Sequence, residues 1–223
     1  MDLRGLIEDP AWMFDFGFSL RRFVPQGDAR SPNQWKLGDE FRLPELASLS
    51  QAGRTHQARM AWDVTGVFLE IDIPIPPSKG PGVAQAFGET VLHFFIDTRS
   101  SPGIHRGNVH CHQFDFRFGP LREKIQHQRM DSRLVRLSRS KGEPKPVDDE
   151  DVWGWISTTP KSYGIQVFID QNALTGYSPA EFDACGVFYI AMDSQYRRYS
   201  LARLSHAIPW DDPSLWCRAK LVE

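Results

Sequence analysis

The chain is written in short runs where aromatic or β-branched residues alternate with polar ones, each run stopping at Pro, Gly or Asp. "ARMAWDV" (58–64), "GVFLEIDIPI" (66–75), "ETVLHFFIDT" (89–98), "HCHQFDFRF" (110–118), "SYGIQVFID" (162–170) and "CGVFYIAMD" (185–193) are the clearest. "AWMFDFGFSLRRF" (11–23), "SRLVRLS" (132–138), "VWGWIST" (152–158) and "LWCRAKLV" (215–222) belong to the same set. A period of two is the signature of a strand with one buried face. Helical periodicity is confined to single turns at "LPELASL" (43–49) and "SPAEFDA" (178–184). Strands that follow one another without helices between them exclude βαβ units and helical bundles. The expected fold is all-β, a single antiparallel β-sandwich of jelly-roll or immunoglobulin-like type.

A chain of 223 residues buries roughly 70% of the surface its unfolded form would expose, enough for a core without staples. Its 15 Phe and 7 Trp suit a β-rich core or an aromatic binding surface. The loops "PIPPSKGPG" (74–82) and "RSKGEPKPVDDEDV" (139–152) are too short to divide two domains. Residues 1–223 are therefore expected to form one sandwich, with 1–55 an N-terminal strand and crossing segment and 56–223 the sandwich proper.

A net charge of −2 gives no reason to expect nucleic acid or an anionic membrane as partner. No apolar run approaches the ~20 residues that span a bilayer. Charge is nonetheless segregated. Residues 117–141 carry eight Lys/Arg against two acids, and Asp148 to Asp151 follow as an acidic run. That pattern reads as a solvated strand face paired with its own acidic loop, with a polyanion-binding patch as the alternative. Cys111, Cys185 and Cys217 are scattered and form no C-x-x-C pair, so the expectation is a cytoplasmic protein with reduced thiols. A leader already removed would make it a secreted one. The oligomeric state is not legible.

"HRGNVHCHQFDF" (105–116) concentrates three histidines and a cysteine. On a strand, residues i and i+2 share a face roughly 6.5–7 Å apart, so an H-x-H pair can aim two imidazoles at one Zn²⁺ or Fe²⁺. His105, His110 and His112 form the metal alternative. Parity opposes it: His110 and His112 run in register with Phe114, Phe116 and Phe118, the core-facing row. Gln113, Asp115 and Arg117 are expected on the solvent face. If Leu92, Phe94 and Ile96 also face the core, His93 points away from His110 and His112. The imidazoles then read as hydrogen-bonded fillers of a tapering core. There is no G-x-S-x-G, H-E-x-x-H or phosphate loop, so no catalytic activity is expected. Cys111 reads as an inert small residue rather than a nucleophile. No cofactor is expected, although a structural calcium or a transition metal stays compatible with the residues present.

The order of the pieces carries a resemblance. "RMAWDVTGVFLEIDI" (59–73), "ETVLHFFIDTR" (89–99), "QFDF" (113–116), "YGIQVFIDQNALTGYSP" (163–179), "GVFYIAMD" (186–193) and "WDDPSLWCRAKL" (210–221) resemble, in the same order, the family 9 carbohydrate-binding modules and their DOMON-like relatives. The complete chain also resembles bacterial proteins carrying that fold. The resemblance implies a β-sandwich whose curved sheet face takes a sugar between two tryptophans, with polar residues bonding the hydroxyls. It places the second of those tryptophans at Trp210 and the first at Phe87. A family glutamate becomes His93, and an arginine on the next strand becomes Asp115. The resulting expectation is a non-catalytic module with Trp210 and Phe87 as walls and His93, Gln113 and Asp115 as a polar floor. Asp115 in place of arginine would favour neutral or cationic ligands over acidic sugars. Trp62 and Trp155 are expected in the core, Trp216 as the core aromatic of the closing strand, and Trp35 at a rim. The alternatives are a haem- or metal-binding relative, with Met60, Met130 or Met192 partnering a histidine, and an intracellular protein-interaction domain.

Overall fold

Hairpin geometry explains the architecture best where the chain is tightest. Strand β2 (Gln57–Asp63) turns through Val64 and Thr65 into β3 (Gly66–Pro74), and the two pair antiparallel along their length. Gly66 has φ 154°, and a Cβ there would collide with the Ile169 carbonyl on the next strand. Only glycine accepts both conditions. The "WD…" hairpin is thus set by one residue, and it seeds a five-stranded sheet.

The computed structural model describes residues 17–32, 34–44, 56–74, 90–101, 103–117, 127–159, 162–192, 198–202, 210 and 212–223. The remaining strands are β1 (Gly17–Arg21), β4 (Thr90–Asp97), β5 (Cys111–Arg117), β6 (His127–Arg129), β7 (Asp131–Val135), β8 (Val152–Thr158), β9 (Ser162–Asp170), β10 (Ala184–Met192), β11 (Arg198–Ser200) and β12 (Cys217–Val222). The smaller sheet runs β2-β3-β9-β8-β6. The larger runs β1-β12-β10-β4-β5-β7, with β11 beside β10. Among the described strands the pairings are antiparallel except that of β1 with β12. Helical structure among the described residues amounts to 3-10 turns at Asp39–Phe41, Gln171–Ala173 and Pro213–Leu215. The expected β-sandwich is what forms.

The two inner faces interdigitate as period-2 rows. From the larger sheet come Leu92, Phe94, Ile96, Phe114, Phe116, Val187 and Ala219; from the smaller, Met60, Leu69, Ile71, Ile165, Val167 and Ile156. Phe116 packs directly over Gly154, where a Cβ would stand 2.6 Å from its ring. Trp62 is buried as expected, and its Nε1–H donates to the Leu20 and Val222 carbonyls, joining the two sheets at one corner. Phe118 lies outside the described residues.

Two tryptophans stand elsewhere than expected. Trp35 is buried rather than at a rim: with Leu37 it packs on Phe68 and Phe168, on the outer face of the smaller sheet. The segment after β1 therefore forms a third layer there, sealed by Phe23 and Phe41. Trp155 is half-exposed on that same outer face, its Nε1–H bonded to the Arg30 carbonyl. Its row, shared with Trp153, points away from the core, and Val152 and Ile156 take the inner positions.

Candidate functional site

The outer face of the larger sheet carries the chemistry. Register places His93 on β4 opposite Asp115 on β5, and Asp115 opposite Arg133 on β7. The three side chains converge. His93 Nδ1 lies 2.7 Å from Asp115 Oδ1, Gln113 Nε2 donates to the same oxygen at 2.9 Å, and Arg133 Nη2 reaches Asp115 Oδ2 at 3.4 Å. Burial raises the Asp115 carboxyl's pKa, but bonds from His93, Gln113 and Arg133 outweigh it and hold the group below the ordinary carboxylate range. It is an anion already met by its own neighbours.

Trp210 roofs this network. Its indole is stacked on His93, with centroids 5.4 Å apart and planes 26° apart, and on Phe95 at 5.9 Å and 30°. Trp216 also packs against Phe95, with ring centroids 5.6 Å apart. The turn between the two tryptophans is held by its own residues. Asp212 accepts from the Ser214 N–H, Pro213 opens the 3-10 turn and is buried, and His105 Nδ1 meets Asp212 Oδ2 at 3.1 Å. Proline pre-sets φ at the first helical position and an aspartate cap satisfies an orphan N–H. "W-x-D-P-S" is therefore a structural device for presenting an aromatic.

This roof corrects the expectation of a solvent-facing row. Gln113 and Asp115 do occupy the outer side of the sheet, but each is only 4% exposed. The two side chains bond to each other and Asp115 also to His93 and Arg133, while Trp210, almost a hundred residues away in sequence, stacks on the neighbouring His93 and Phe95. Arg117 is half-exposed. Asp115 is likewise no open negative floor for a cationic ligand, since Arg133, which sequence reasoning did not single out, supplies a neighbouring positive charge. Strand register alone could have found it. Phe87, the expected second wall, lies outside the described residues.

The histidines of the metal alternative separate. His112 is fully buried and stacked on Phe114; its Nδ1 faces the His110 carbonyl at 3.0 Å, and its Nε2 accepts from Thr175 N–H at 2.9 Å. Burial lowers its pKa to about 4, so it is neutral near pH 7. His110 Nδ1 faces the Thr175 carbonyl, and His105 is tied to Asp212 on the exposed turn. Among the described residues no three His, Cys, Asp or Glu side chains gather as a metal-binding group. Met60 and Met130 are core residues, and Met192 packs against the core's margin.

No protein-family model matches the chain, and no curated protein matches it by sequence. Solved structures do. One, a family 9 carbohydrate-binding module from Caldicellulosiruptor kristjanssonii in complex with cellotriose, superposes with a TM-score of 0.55 at 13% identity, over 92% of this chain and 93% of that one. Another, a family 9 module from the same organism in complex with glucose, gives 0.55 at 12% identity, over 92% and 95%. The fold is that of a family 9 carbohydrate-binding module. At such identity the likeness is one of fold, and the site has to be read from this chain's own residues.

Proposed function

We propose that the chain is a non-catalytic carbohydrate-binding module whose site is the Trp210 face of the larger sheet. The observation that carries this reading is Trp210 held on His93 and Phe95 above the bonded row of Gln113, Asp115 and Arg133. Sugars present apolar C–H faces and a fringe of hydroxyls, and a fixed indole near the exposed Arg133 guanidinium suits both. The family 9 fold of the two sugar-complexed modules supports the same reading. Trp210 is the stacking surface, with Phe87 as partner wall. His93, Gln113 and Asp115 orient Trp210 and set the polarity beneath it. A single indole wall with a smaller phenyl partner implies weak affinity, on the order of 0.1–1 mM, or about −4 to −5.5 kcal/mol.

The test is calorimetric and fluorescence titration with glucose, cellotriose and a panel of mono- and disaccharides, on the wild type and Trp210→Ala. Binding by the wild type that Trp210→Ala removes is the expected result. Silence of the wild type toward every sugar at tens of millimolar would end the proposal.

A further inference from the structure

Resting on that reading, we infer that the glycan recognised on this face is an acidic one, and that Arg133 is the residue that meets its carboxylate. The argument begins with where charge falls on the sheet. Period-2 parity, fixed by the inner rows, puts Arg21, Arg117, Arg133, Arg198, Arg218 and Lys220 on the outer side of the larger sheet. The carboxylates on that side of its strands are Asp97, Asp115 and Asp131. Asp97 is 2% exposed and accepts the Arg99 and Ser101 N–H groups, while Asp115 is consumed by its own network. Asp131 stands opposite Arg117, so the described strands of this face carry six cations against three carboxylates, on a chain whose net charge is −2. Asp63, Glu70 and Asp72 lie on the other sheet, while Asp148 and Asp149 of the acidic run line a shallow pocket beside Arg133, whose ion pair is nonetheless with Asp115.

Arg133 is the cation placed to act. It stands two strands from His93 across Asp115, so roughly 10 Å separates its backbone from the imidazole under Trp210. Its side chain is 55% exposed, and its ion pair among the described residues is the 3.4 Å contact with Asp115. Guanidinium carries five N–H donors in a planar fork, and a long contact through one nitrogen leaves the rest for a ligand. Asp115 acts as an anchor that aims the fork beside the stacking surface. A pyranose on Trp210 with a carboxylate directed along the sheet toward β7 would meet that fork in a two-bond pairing, the strongest common carboxylate recognition in proteins. A neutral hydroxymethyl in the same position gains only ordinary hydrogen bonds. Carbohydrate of the uronate class fits both halves of the site: the indole takes the ring and Arg133 takes the acid.

The experiment compares a gluco-oligosaccharide with the glucurono-oligosaccharide of the same length and linkage, by calorimetry at low and at 0.5 M salt. The uronate should bind about tenfold tighter at low salt, a preference that shrinks as salt screens the pair. Arg133→Gln should bring the ratio of the two affinities to within about twofold of unity, and Arg133→Lys should leave part of the preference, since charge survives and the fork is lost. Thermal melts of both variants at the wild-type temperature confirm folding. If the neutral glycan binds as well as the uronate, or better, the acidic class is overturned and the carbohydrate reading stands. If an oligonucleotide of equal charge binds as tightly as the uronate, the face reads charge alone and the inference falls. If neither glycan binds at tens of millimolar, the carbohydrate reading itself fails and takes the inference with it.

Discussion

His93 and Asp115 face each other across β4 and β5 with 2.7 Å between imidazole Nδ1 and carboxylate, and the indole of Trp210 lies on the imidazole. The pair is a joint between the sheet and the segment that roofs it. Removing either member frees a buried partner, and the cost should show in stability as well as in binding.

Asp115→Ala is expected to destabilise the fold by about 3 kcal/mol, because it strands the buried donors of His93 and Gln113. Its pH dependence has a definite sign. The folded carboxyl titrates below its unfolded value, about 3.9, so its contribution is fully present above that value and is lost as pH falls through the lower folded one. Urea denaturation between pH 6 and pH 2.5 should show an acid limb that is shallower in Asp115→Asn. An identical limb in both proteins would mean that the network carries no net charge.

His112 sets a second window, higher in pH. Its folded pKa is about 4 because burial disfavours the cation, while an unfolded histidine takes up its proton near 6.5. Between those values the unfolded chain binds a proton that the folded chain refuses. Stability should therefore fall as pH drops from about 6.5 and level off below about 4, a loss on the order of 3 kcal/mol. His112→Gln should be less stable at pH 7 and flatter across this range. Chemical-shift titration of the imidazole gives an independent check: a midpoint near 6.5 in the folded protein would contradict it.

The sandwich was legible because alternation survives in strands of five or more residues. Strands β6 and β11 span three residues each, too few to display a period, and they escaped notice. Parity correctly sent Leu92, Phe94, Phe114 and Phe116 inward and His93 outward. It failed at Trp155, where both rows of "VWGWIST" are apolar and alternation has no sign. Parity also says nothing about roofs. Gln113 and Asp115 face outward and are still buried, in a bonded network with His93, on which Trp210 from far along the chain is stacked. Trp35 escaped for the same reason: its polar surroundings conceal a Trp35/Leu37 pair that packs on Phe68 and forms a third layer. Arg133 needed inter-strand register, which is a property of the folded pairing.

The thiols should separate by burial. Burial raises Cys111 and Cys185 to about 12, so almost no thiolate exists at neutral pH, and Cys217 is the one of the three with partial exposure. A thiolate reagent at pH 8 should label Cys217 first in the native protein. Cys111 and Cys185 should react at the rate of unfolding. Fast native labelling of Cys111 would imply that the β4–β5 pairing opens far more readily than its packing suggests.

The last expectation concerns the contact that lets the two sheets approach. Phe116 is wholly buried, and its ring occupies the space where a side chain at Gly154 would stand. Phe116→Ala should cost about 3–5 kcal/mol through lost burial and a residual cavity. Gly154→Ala should cost about 1–3 kcal/mol by the opposite route, since its methyl group drives into the ring and into Met130 behind it. The two defects are complementary in shape. A methyl at 154 occupies part of the volume that a smaller residue at 116 vacates, so Phe116→Leu with Gly154→Ala should be more stable than the sum of the single changes predicts. A double-mutant cycle by urea denaturation reads the difference, expected at about 1 kcal/mol in the favourable direction. Strict additivity would mean that the sheets move apart to accommodate each change, and that this contact does not set their spacing.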